Sequence, residues 1–193
     1  MPSAVVPVNA IATGPGFLYY APLASTLPAN TVAGSVFTDA WPGAWLLLGA
    51  TDEGSEWSYS VDTDTIEVAE YLDPISVVPT GRTISMSFAL ANIHATNLKR
   101  LTNGGTITVT GSGATTLNAY TPPPLGSEIR SMIGWESQDS TERLIGYQCF
   151  QTGDITTSRK KGSDKALLSA EFTFEKPASG ESFGYWTAGT VRG

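Results

Sequence analysis

Few residues of this chain have side chains suited to catalysis. His94 is the only histidine and Cys149 the only cysteine, so a Ser-His-Asp or Cys-His arrangement would have to use them, and no G-x-S-x-G signature accompanies His94. We expect His94 at the surface near the start of a short helix, and Cys149 as a small buried residue of an alternating strand. Ser158 and Lys161 match S-x-x-K, but the companion S-D-N and K-T-G elements are absent from the sequence. The residue inventory therefore argues against an enzyme.

No motif of the sequence predicts a bound metal or cofactor. Metal ions need several converging ligands, and the nearest run, "DTDTIE" at 62–67, has no EF-hand glycine and no terminal glutamate at loop spacing. The "GSG" at 111–113 lacks the third glycine of a dinucleotide-binding loop. We therefore expect neither a metal site nor a cofactor.

The clearest chemical signal is the segregation of charge along the chain. A stretch from 52 to 73 holds eight acidic residues and no basic one: Asp52, Glu53, Glu56, Asp62, Asp64, Glu67, Glu70 and Asp73. The one basic cluster, "RKKGSDK" at 159–165, contains Arg159, Lys160, Lys161 and Lys165. These two sets are either solvated faces of one molecule or complementary patches that orient contact between identical subunits.

Composition narrows the classes of partner. Charged residues make up 15% of the chain, against about 25% in globular proteins, and surfaces poor in charge often form interfaces. The formal net charge of -7 opposes tight binding of nucleic acid, although it suits a surface that DNA passes without sticking. A single cysteine excludes an intrachain disulfide.

The sequence predicts neither secretion nor membrane insertion. Its first residues, "MPSAVVPVNAIATGPG", lack the basic start and apolar block of a secretory signal. The most apolar stretch, "AWLLLGA" at 44–50, is far shorter than the roughly 20 residues that span a bilayer. We expect a soluble protein made in a cytoplasm.

Alternation of apolar and polar residues predicts a mainly β protein. The cleanest strand is "RTISMSFAL" at 82–90, in which four apolar residues alternate with small or polar ones. A polar "DTDT" turn is expected to join two strands at 57–61 and 66–68. The other predicted strands lie at 45–48, near 107–109, at 129–136, at 144–150 and at 167–174, with 182–189 as a strand or an arm.

One short helix interrupts the strands. In "ANIHATNLKRLTNGG", Asn92 is placed to act as the N-cap and Gly104 as the C-terminal stop, which predicts a helix near 93–102. A helix of about ten residues is not stable alone. It should therefore lie on a sheet.

One domain with two arms accounts for these elements. Single all-β domains reach roughly 200 residues, so length does not force a division. The first 43 residues are rich in Pro, Gly, Ala and Thr, apart from an aromatic cluster at 16–28. We expect an extended N-terminal arm at 1–43 that could include one strand, a β-sandwich or barrel-like core at 44–177 with the helix on its flank, and a C-terminal arm at 178–193.

Several stretches, in their order and spacing, resemble the major tail tube proteins of long, non-contractile tailed phages. They are "GFLYYAPLASTLP", "LGATDEG", the acidic strand pair leading into "LDPISVVPTGRTISMSF", "LKRLTNGG" and "LLSAEFTFEKP". The resemblance covers most of the chain. It implies a tail-tube fold, shared with the tube proteins of contractile tails and of type VI secretion.

The resemblance also implies a structural role. Six copies would form a ring, and rings would stack into the tube through which the genome leaves the capsid. In this family a long loop between the early strands contacts the next ring, together with the terminal arms. On this sequence that loop maps between Trp57 and Val77. The acidic segment would lie either at this contact or toward a lumen, and the polar side of the 82–90 strand would line the bore or meet a neighbour.

The expected partners follow from the same resemblance. They are further copies of the chain, the tape measure protein, and the tail tip and terminator proteins, while genomic DNA passes through the lumen without tight binding and no membrane is involved. The expected location is the virion tail, with the host cytoplasm as the place of assembly.

Two other functions stay open at the level of sequence. A tube terminator or a distal tail ring component would share the fold without polymerising. A carbohydrate-binding β-sandwich would use exposed aromatic faces for stacking, and the candidates for such faces are Trp41, Trp45, Trp57, Trp135 and Trp186.

Overall fold

The computed structural model describes residues 15–159 and 165–189. Within these ranges it has thirteen strands, one α-helix and a short 3-10 turn at Gly113–Thr115. The helix, α1, is Ala95–Leu101. The strands are Gly16–Pro22 (β1), Val32–Ala33 (β2), Val36–Phe37 (β3), Leu46–Leu47 (β4), Thr51–Ile66 (β5), Ser76–Leu90 (β6), Thr106–Thr110 (β7), Leu117–Thr121 (β8), Ser131–Ser137 (β9), Glu142–Gln151 (β10), Thr156–Ser158 (β11), Leu167–Phe174 (β12) and Phe183–Thr187 (β13).

Nine of these strands form one antiparallel sheet. Its order is β4-β1-β9-β10-β12-β6-β5, with β13 added to β10 and β11 added to β12. Two small ladders, β2-β3 and β7-β8, stand apart from it. The prediction of a mainly β protein with one short helix is therefore confirmed.

The alternating pattern at 82–90 decides which face of the sheet is buried. Ile84, Met86, Phe88 and Leu90 are each at most 6% exposed, while the residues between them are not buried. They join a core built from β1, β9, β10 and β12, with Leu101 of α1 packed on it. Each fully buried apolar side chain of this size contributes about 1.5–3 kcal/mol to the stability of the fold.

A second, smaller cluster covers the opposite face of β1, β9 and β10. It contains Ala21, Trp45, Met132 and Ile145, and all of these except Trp45 are adjacent in sequence to a residue of the main core. Trp41 packs here, with its ring stacked 4.3 Å from that of Tyr19. This half of the sheet is therefore buried on both faces.

The first part of the aromatic cluster at 16–28 forms a strand of the main sheet. β1 pairs with β9 along all seven of its residues, and Leu18, Tyr20 and Ala21 are buried. One strand therefore lies within the segment predicted as the N-terminal arm, and burial of these side chains outweighs the loop-like composition around them. Residues 1–14 of that arm lie outside the described residues.

The C-terminal segment likewise contains a sheet strand. Phe183–Thr187 pairs with β10 from Gly146 to Glu142. Of the two alternatives for 182–189, the strand is therefore confirmed, and residues 190–193 lie outside the described part of the chain.

The predicted turn at "DTDT" is wrong. β5 runs without interruption through Asp62–Thr65, and Thr63, Asp64 and Thr65 pair with Pro79, Val78 and Val77 of β6. An Asp-Thr alternation fits an extended strand as well as a turn, and pairing with the apolar β6 segment selects the strand. The chain reverses instead at 67–75, which we call the hairpin tip.

The predicted helix is confirmed, but its cap is not. His94 is the N-cap, with its Nδ1 accepting from the backbone N–H of Thr96 at 3.3 Å. Asn92 lies two residues before this cap, and its carbonyl oxygen accepts a hydrogen bond from the side-chain amide of the buried Asn97. At the other end Asn103 adopts a φ of 55° and the Gly104 N–H donates to the Lys99 carbonyl at 3.0 Å, which ends the helix.

Candidate interaction surfaces

The longest strand of the sheet is also its edge. β5 has 16 residues and lies at the end of the sheet order, with β6 on one side. Within 15–159 and 165–189 no strand pairs with its other side. About half of its backbone N–H and C=O groups therefore point away from β6, and such an edge is a template for pairing with another chain.

One face of the β12-β6-β5 region is polar and open. Register places Glu56 opposite Ser87, and Ser58 opposite Ser85. Ser87 in turn lies opposite Glu171 of β12. The polar face comprises Glu56, Ser58, Ser60, Asp62, Asp64, Thr83, Ser85, Ser87, Glu171 and Thr173, and all ten are exposed or half-exposed.

The other face of β5, which carries Trp57 and Tyr59, becomes exposed to solvent along the hairpin. Trp57 and Tyr59 lie opposite the buried Met86 and Ile84, and the Trp57 ring is 5.4 Å from that of Phe183. Even so, Trp57 is 40% and Tyr59 47% exposed. The core thus ends near Trp57, and the hairpin continues past it.

The far half of the hairpin exposes large apolar side chains. From Trp57 to Thr80 every residue is exposed except Val68, which is half-buried. The exposed apolar residues beyond the core are Val61, Ile66, Tyr71, Leu72, Ile75, Val77 and Val78. Apolar patches of this extent on a folded protein mark an interaction surface.

The eight acidic residues fall into three groups. Asp52 and Glu53 lie at the start of β5, next to an irregularity in its pairing with β6. Glu56, Asp62 and Asp64 lie on the polar face, whereas Glu67, Glu70 and Asp73 belong to the hairpin tip. A strand rises about 3.3 Å per residue, so some 45 Å separate the first group from the last. The acidic run is not one site.

The basic cluster contacts the acidic segment within the same chain. The Lys165 ammonium donates to the Asp52 carboxylate, and Arg159 is exposed. Lys160 and Lys161 lie outside the described residues. The Lys165 side chain is 59% exposed, so this ion pair contributes little to stability. This contact between the two sets of charges therefore lies within one molecule rather than between subunits.

An open hollow of about 690 Å³ lies beside this ion pair. Its carboxylates are Asp52, Glu53, Glu56, Asp154 and Glu171. Among the described residues no group of three or more His, Cys, Asp or Glu side chains is arranged to hold a metal ion.

A second hollow of about 730 Å³ is mostly apolar, and we call it the apolar groove. Its lining includes Leu23, Leu27, Met132, Tyr147, Pro177 and Phe183. Burial raises the pKa of Tyr147 above its usual value, which keeps the phenol neutral. Sequence reasoning missed this groove, because its walls come from four separate stretches of chain.

An ion pair borders the groove. Arg130 Nε donates to Glu175 Oε2 at 3.1 Å, and Gln148, which lines the groove, donates to the same oxygen at 2.8 Å. The Arg130 hydrogen bond lowers the pKa of Glu175, against a smaller opposing effect of burial. The carboxylate is therefore charged at neutral pH.

The residues considered for catalysis do not converge on one site. Cys149 is fully buried, and burial raises the pKa of its thiol well above the usual range. His94 is exposed and caps α1. Ser158 ends β11, while Lys161 lies outside the described part of the chain.

The five tryptophans mainly serve packing. Trp45 is 5% exposed, and Trp41, Trp135 and Trp186 are half-buried against the two cores. Trp57 alone among them is classed as exposed. These five positions therefore do not provide the row of exposed aromatic rings that carbohydrate stacking would use.

In the described part of the chain, no helix has the length and apolar character needed to cross a membrane. Comparison with models of protein families and with curated proteins finds no match to this chain.

Proposed function

We propose that this chain is a structural subunit that assembles with copies of itself, as a major tail tube protein of a phage with a long non-contractile tail. The observation that carries the proposal is β5, a 16-residue edge strand with no partner on its outer side among the described residues. Its continuation as a hairpin with exposed apolar side chains supports the same conclusion. The resemblance of the sequence supplies the identity of the assembly.

Assembly into a ring would remove the open edges. At the far end of the sheet, β4 pairs with only Tyr19 and Tyr20 of β1, which leaves backbone there for a neighbour. A contact between the two ends of one sheet is head-to-tail, and it closes when its rotation fits a cycle. Six copies in a ring would turn six open sheets into a continuous barrel without edges.

The polar face would then line the bore. Between Glu56 and Asp62 its side chains on β5 and β6 are small or polar, and the face carries Glu56, Asp62, Asp64 and Glu171, with Val78 opposite Asp64 at its outer end. Carboxylates repel DNA phosphates over a Debye length of roughly 8 Å at physiological salt. Repulsion from the wall lets the genome pass without sticking, which is the behaviour that ejection requires.

The hairpin tip would form the contact between rings. Its residues belong to the segment that the resemblance assigns to the next ring. The partners would be further copies along the tube, the tape measure protein inside it, and the tip and terminator proteins at its ends. The chain would carry out no reaction, and it would be found in virion tails and, during assembly, in the host cytoplasm.

Electron microscopy of the concentrated pure protein tests this proposal. Hollow tubes or stacked six-fold rings are the expected result. Isolated rings that do not stack would favour a terminator or distal ring component instead. Monomers that persist at high concentration, and that retain a glycan, would replace the proposal with a carbohydrate-binding module.

A further inference from the structure

Helix α1 is followed by an Asn-Gly pair, a dipeptide with a reactivity of its own. The chain has six asparagines, and Asn103 is the only one followed by glycine. In a flexible chain the side-chain amide of asparagine reacts with the backbone nitrogen of the next residue, and glycine hinders this approach least because it has no Cβ. The sequence alone therefore makes Asn103 the asparagine most prone to lose its amide.

The fold holds both reacting groups on other partners. Asn103 is 6% exposed. Its Nδ2 donates to the Gln151 carbonyl at 2.9 Å, and its Oδ1 accepts from the Gln151 N–H at 2.9 Å. The Gly104 N–H donates to the Lys99 carbonyl at 3.0 Å, and the Asn103 carbonyl accepts from the Ile129 N–H at 2.8 Å. The amide and the nitrogen that would attack it are thus each fixed by hydrogen bonds that must break before they can react.

We propose that Asn103–Gly104 is a modification site that the fold masks, at which the Asn103 amide is converted to a carboxylate only while the end of α1 is open. In the open state the Gly104 nitrogen gives its proton to a base in solution and forms a bond to Asn103 Cγ. The Cγ–Nδ2 bond breaks, and the amide nitrogen leaves as ammonia. Water then opens the resulting ring at either carbonyl, which leaves aspartate or its β-linked isomer at position 103. The net reaction consumes water and releases ammonia, and it needs no other reactant.

The product does not fit the native site. A carboxylate has no N–H, so at position 103 it would put an acceptor in place of the donor to the Gln151 carbonyl. The site is buried, and a buried charge that faces an acceptor is strongly unfavourable. The β-linked isomer adds a carbon to the backbone between positions 103 and 104, which displaces the Gly104 N–H from the Lys99 carbonyl. Either product therefore weakens the junction between the end of α1 and β10.

The stability of this junction sets the rate of modification. α1 has only seven residues, and the ends of short elements open locally at a lower free-energy cost than the whole fold. The rate in the folded protein is the rate in the open chain multiplied by the fraction of time that the junction is open. Molecules that react lose the contacts that close the junction, so they leave the native population irreversibly. This inference does not depend on the proposed assembly.

Peptide mapping by mass spectrometry measures the reaction. The parent protein is incubated at pH 8 in buffer and in guanidinium chloride at a concentration that unfolds it, and both products at position 103 are quantified over time. We expect the reaction to be faster in the denaturant by a factor of about ten or more, since the folded protein is open for only a small fraction of the time. Asn118, which is followed by alanine and exposed on β8, is the internal control and should change slowly under both conditions.

A matched pair of substitutions tests the effect of the product. Asn103→Asp places the carboxylate at the buried junction, and it should lower the urea midpoint of unfolding or prevent folding. Asn118→Asp adds the same charge at an exposed position and should leave the urea midpoint unchanged.

Each part of the proposal has a result that would overturn it. Equal rates at Asn103 in buffer and in denaturant would mean that the fold gives no protection. Slow reaction under both conditions would mean that the dipeptide is not a modification site. An Asn103→Asp protein with the urea midpoint of the parent would mean that the product fits the native site.

Discussion

Arg143 and Glu136 form an ion pair inside the protein, with Arg143 Nε 3.1 Å from Glu136 Oε2 and the Arg143 side chain 1% exposed. The same guanidinium donates to Asn30 Oδ1 at 3.2 Å and to the Asp39 carbonyl at 2.6 Å. It also lies 4.7 Å from the centre of the Phe37 ring. The pair therefore holds the segment around 30–39 on the sheet.

Removal of Arg143 should destabilise the fold strongly. Arg143→Ala leaves Glu136 buried without its cation, and loss of one partner of a buried pair costs about 3–5 kcal/mol. Urea unfolding measures this difference. Arg130→Ala, which breaks the exposed pair with Glu175, is the control and should change stability little. Equal effects of the two substitutions would refute the role assigned to Arg143.

Gly134 should tolerate no larger residue. A Cβ at this position would lie 2.4 Å from the Trp41 ring and 2.9 Å from the Trp45 ring. We expect Gly134→Ala to destabilise the fold by about 1–3 kcal/mol through overpacking and to shift tryptophan fluorescence. Gly43 lies between Trp41 and Trp45 in the chain and has open space around it. Gly43→Ala should therefore change neither stability nor tryptophan fluorescence. A silent Gly134→Ala would mean that this packing is loose.

The Glu175 ion pair gives a pH dependence of known sign. Hydrogen bonding to Arg130 lowers the folded-state pKa of Glu175 below its ordinary value of 4.5. Its contribution to stability is therefore present above that value and is lost as the pH falls through the folded-state pKa. Because the pair is partly exposed, Glu175→Gln should lower the urea midpoint only slightly at pH 7, and by still less at pH 3.

Glu70→Gln at the exposed hairpin tip is the control for this pH dependence. It should give no such difference between pH 7 and pH 3. If Glu175→Gln were equally disruptive at both pH values, lost packing rather than lost charge would explain its effect.

Cys149 should be unreactive in the folded protein. It is fully buried, and burial raises the pKa of its thiol, so little thiolate forms at pH 8. A thiol-specific disulfide reagent should label it only after urea unfolding. Rapid labelling of the native protein at pH 8 would contradict the burial.

Two matched sets of acid neutralisations separate the roles of the acidic segment. Glu56→Gln, Asp62→Asn and Asp64→Asn remove three charges from the polar face, and Glu67→Gln, Glu70→Gln and Asp73→Asn remove three from the hairpin tip. Under the proposed function the first set should form tubes that retain added DNA at low salt, as measured by co-sedimentation. The second set should instead change the concentration needed for assembly. If both sets behaved alike, the division into a bore and a contact surface would be wrong.

Local pattern was enough to identify most of the strands. The alternation at 82–90 and at 167–174 predicted both the strands and their buried sides, because side chains of an extended chain point alternately to two faces. The helix was also predicted from its flanking residues. Its cap was assigned to Asn92 rather than to His94, because the competing bond from Asn97 is a contact of the folded chain.

The local sequence pattern did not predict the secondary structure where the same residues suit two conformations. "DTDT" suits a turn or part of a strand equally well, and "GFLYYAP" lies in a loop-like context although it forms the strand of the main sheet between β4 and β9. In both cases the partner strand decides: β9 lies far from β1 in the sequence, and β6 follows β5 across the hairpin tip. The apolar groove escaped for the same reason, since Leu23, Met132, Tyr147 and Phe183 meet only after the sheet has formed.

The sequence by itself determined that this protein is a mainly β chain, poor in charge, with eight of its 18 acidic residues gathered in one stretch, because composition and two-residue periodicity are properties of the chain alone. Only the tertiary structure decided that this stretch becomes a free edge and a protruding hairpin, and that Lys165 meets Asp52 within one molecule. Strand order and register depend on contacts between distant segments, and no local pattern encodes them.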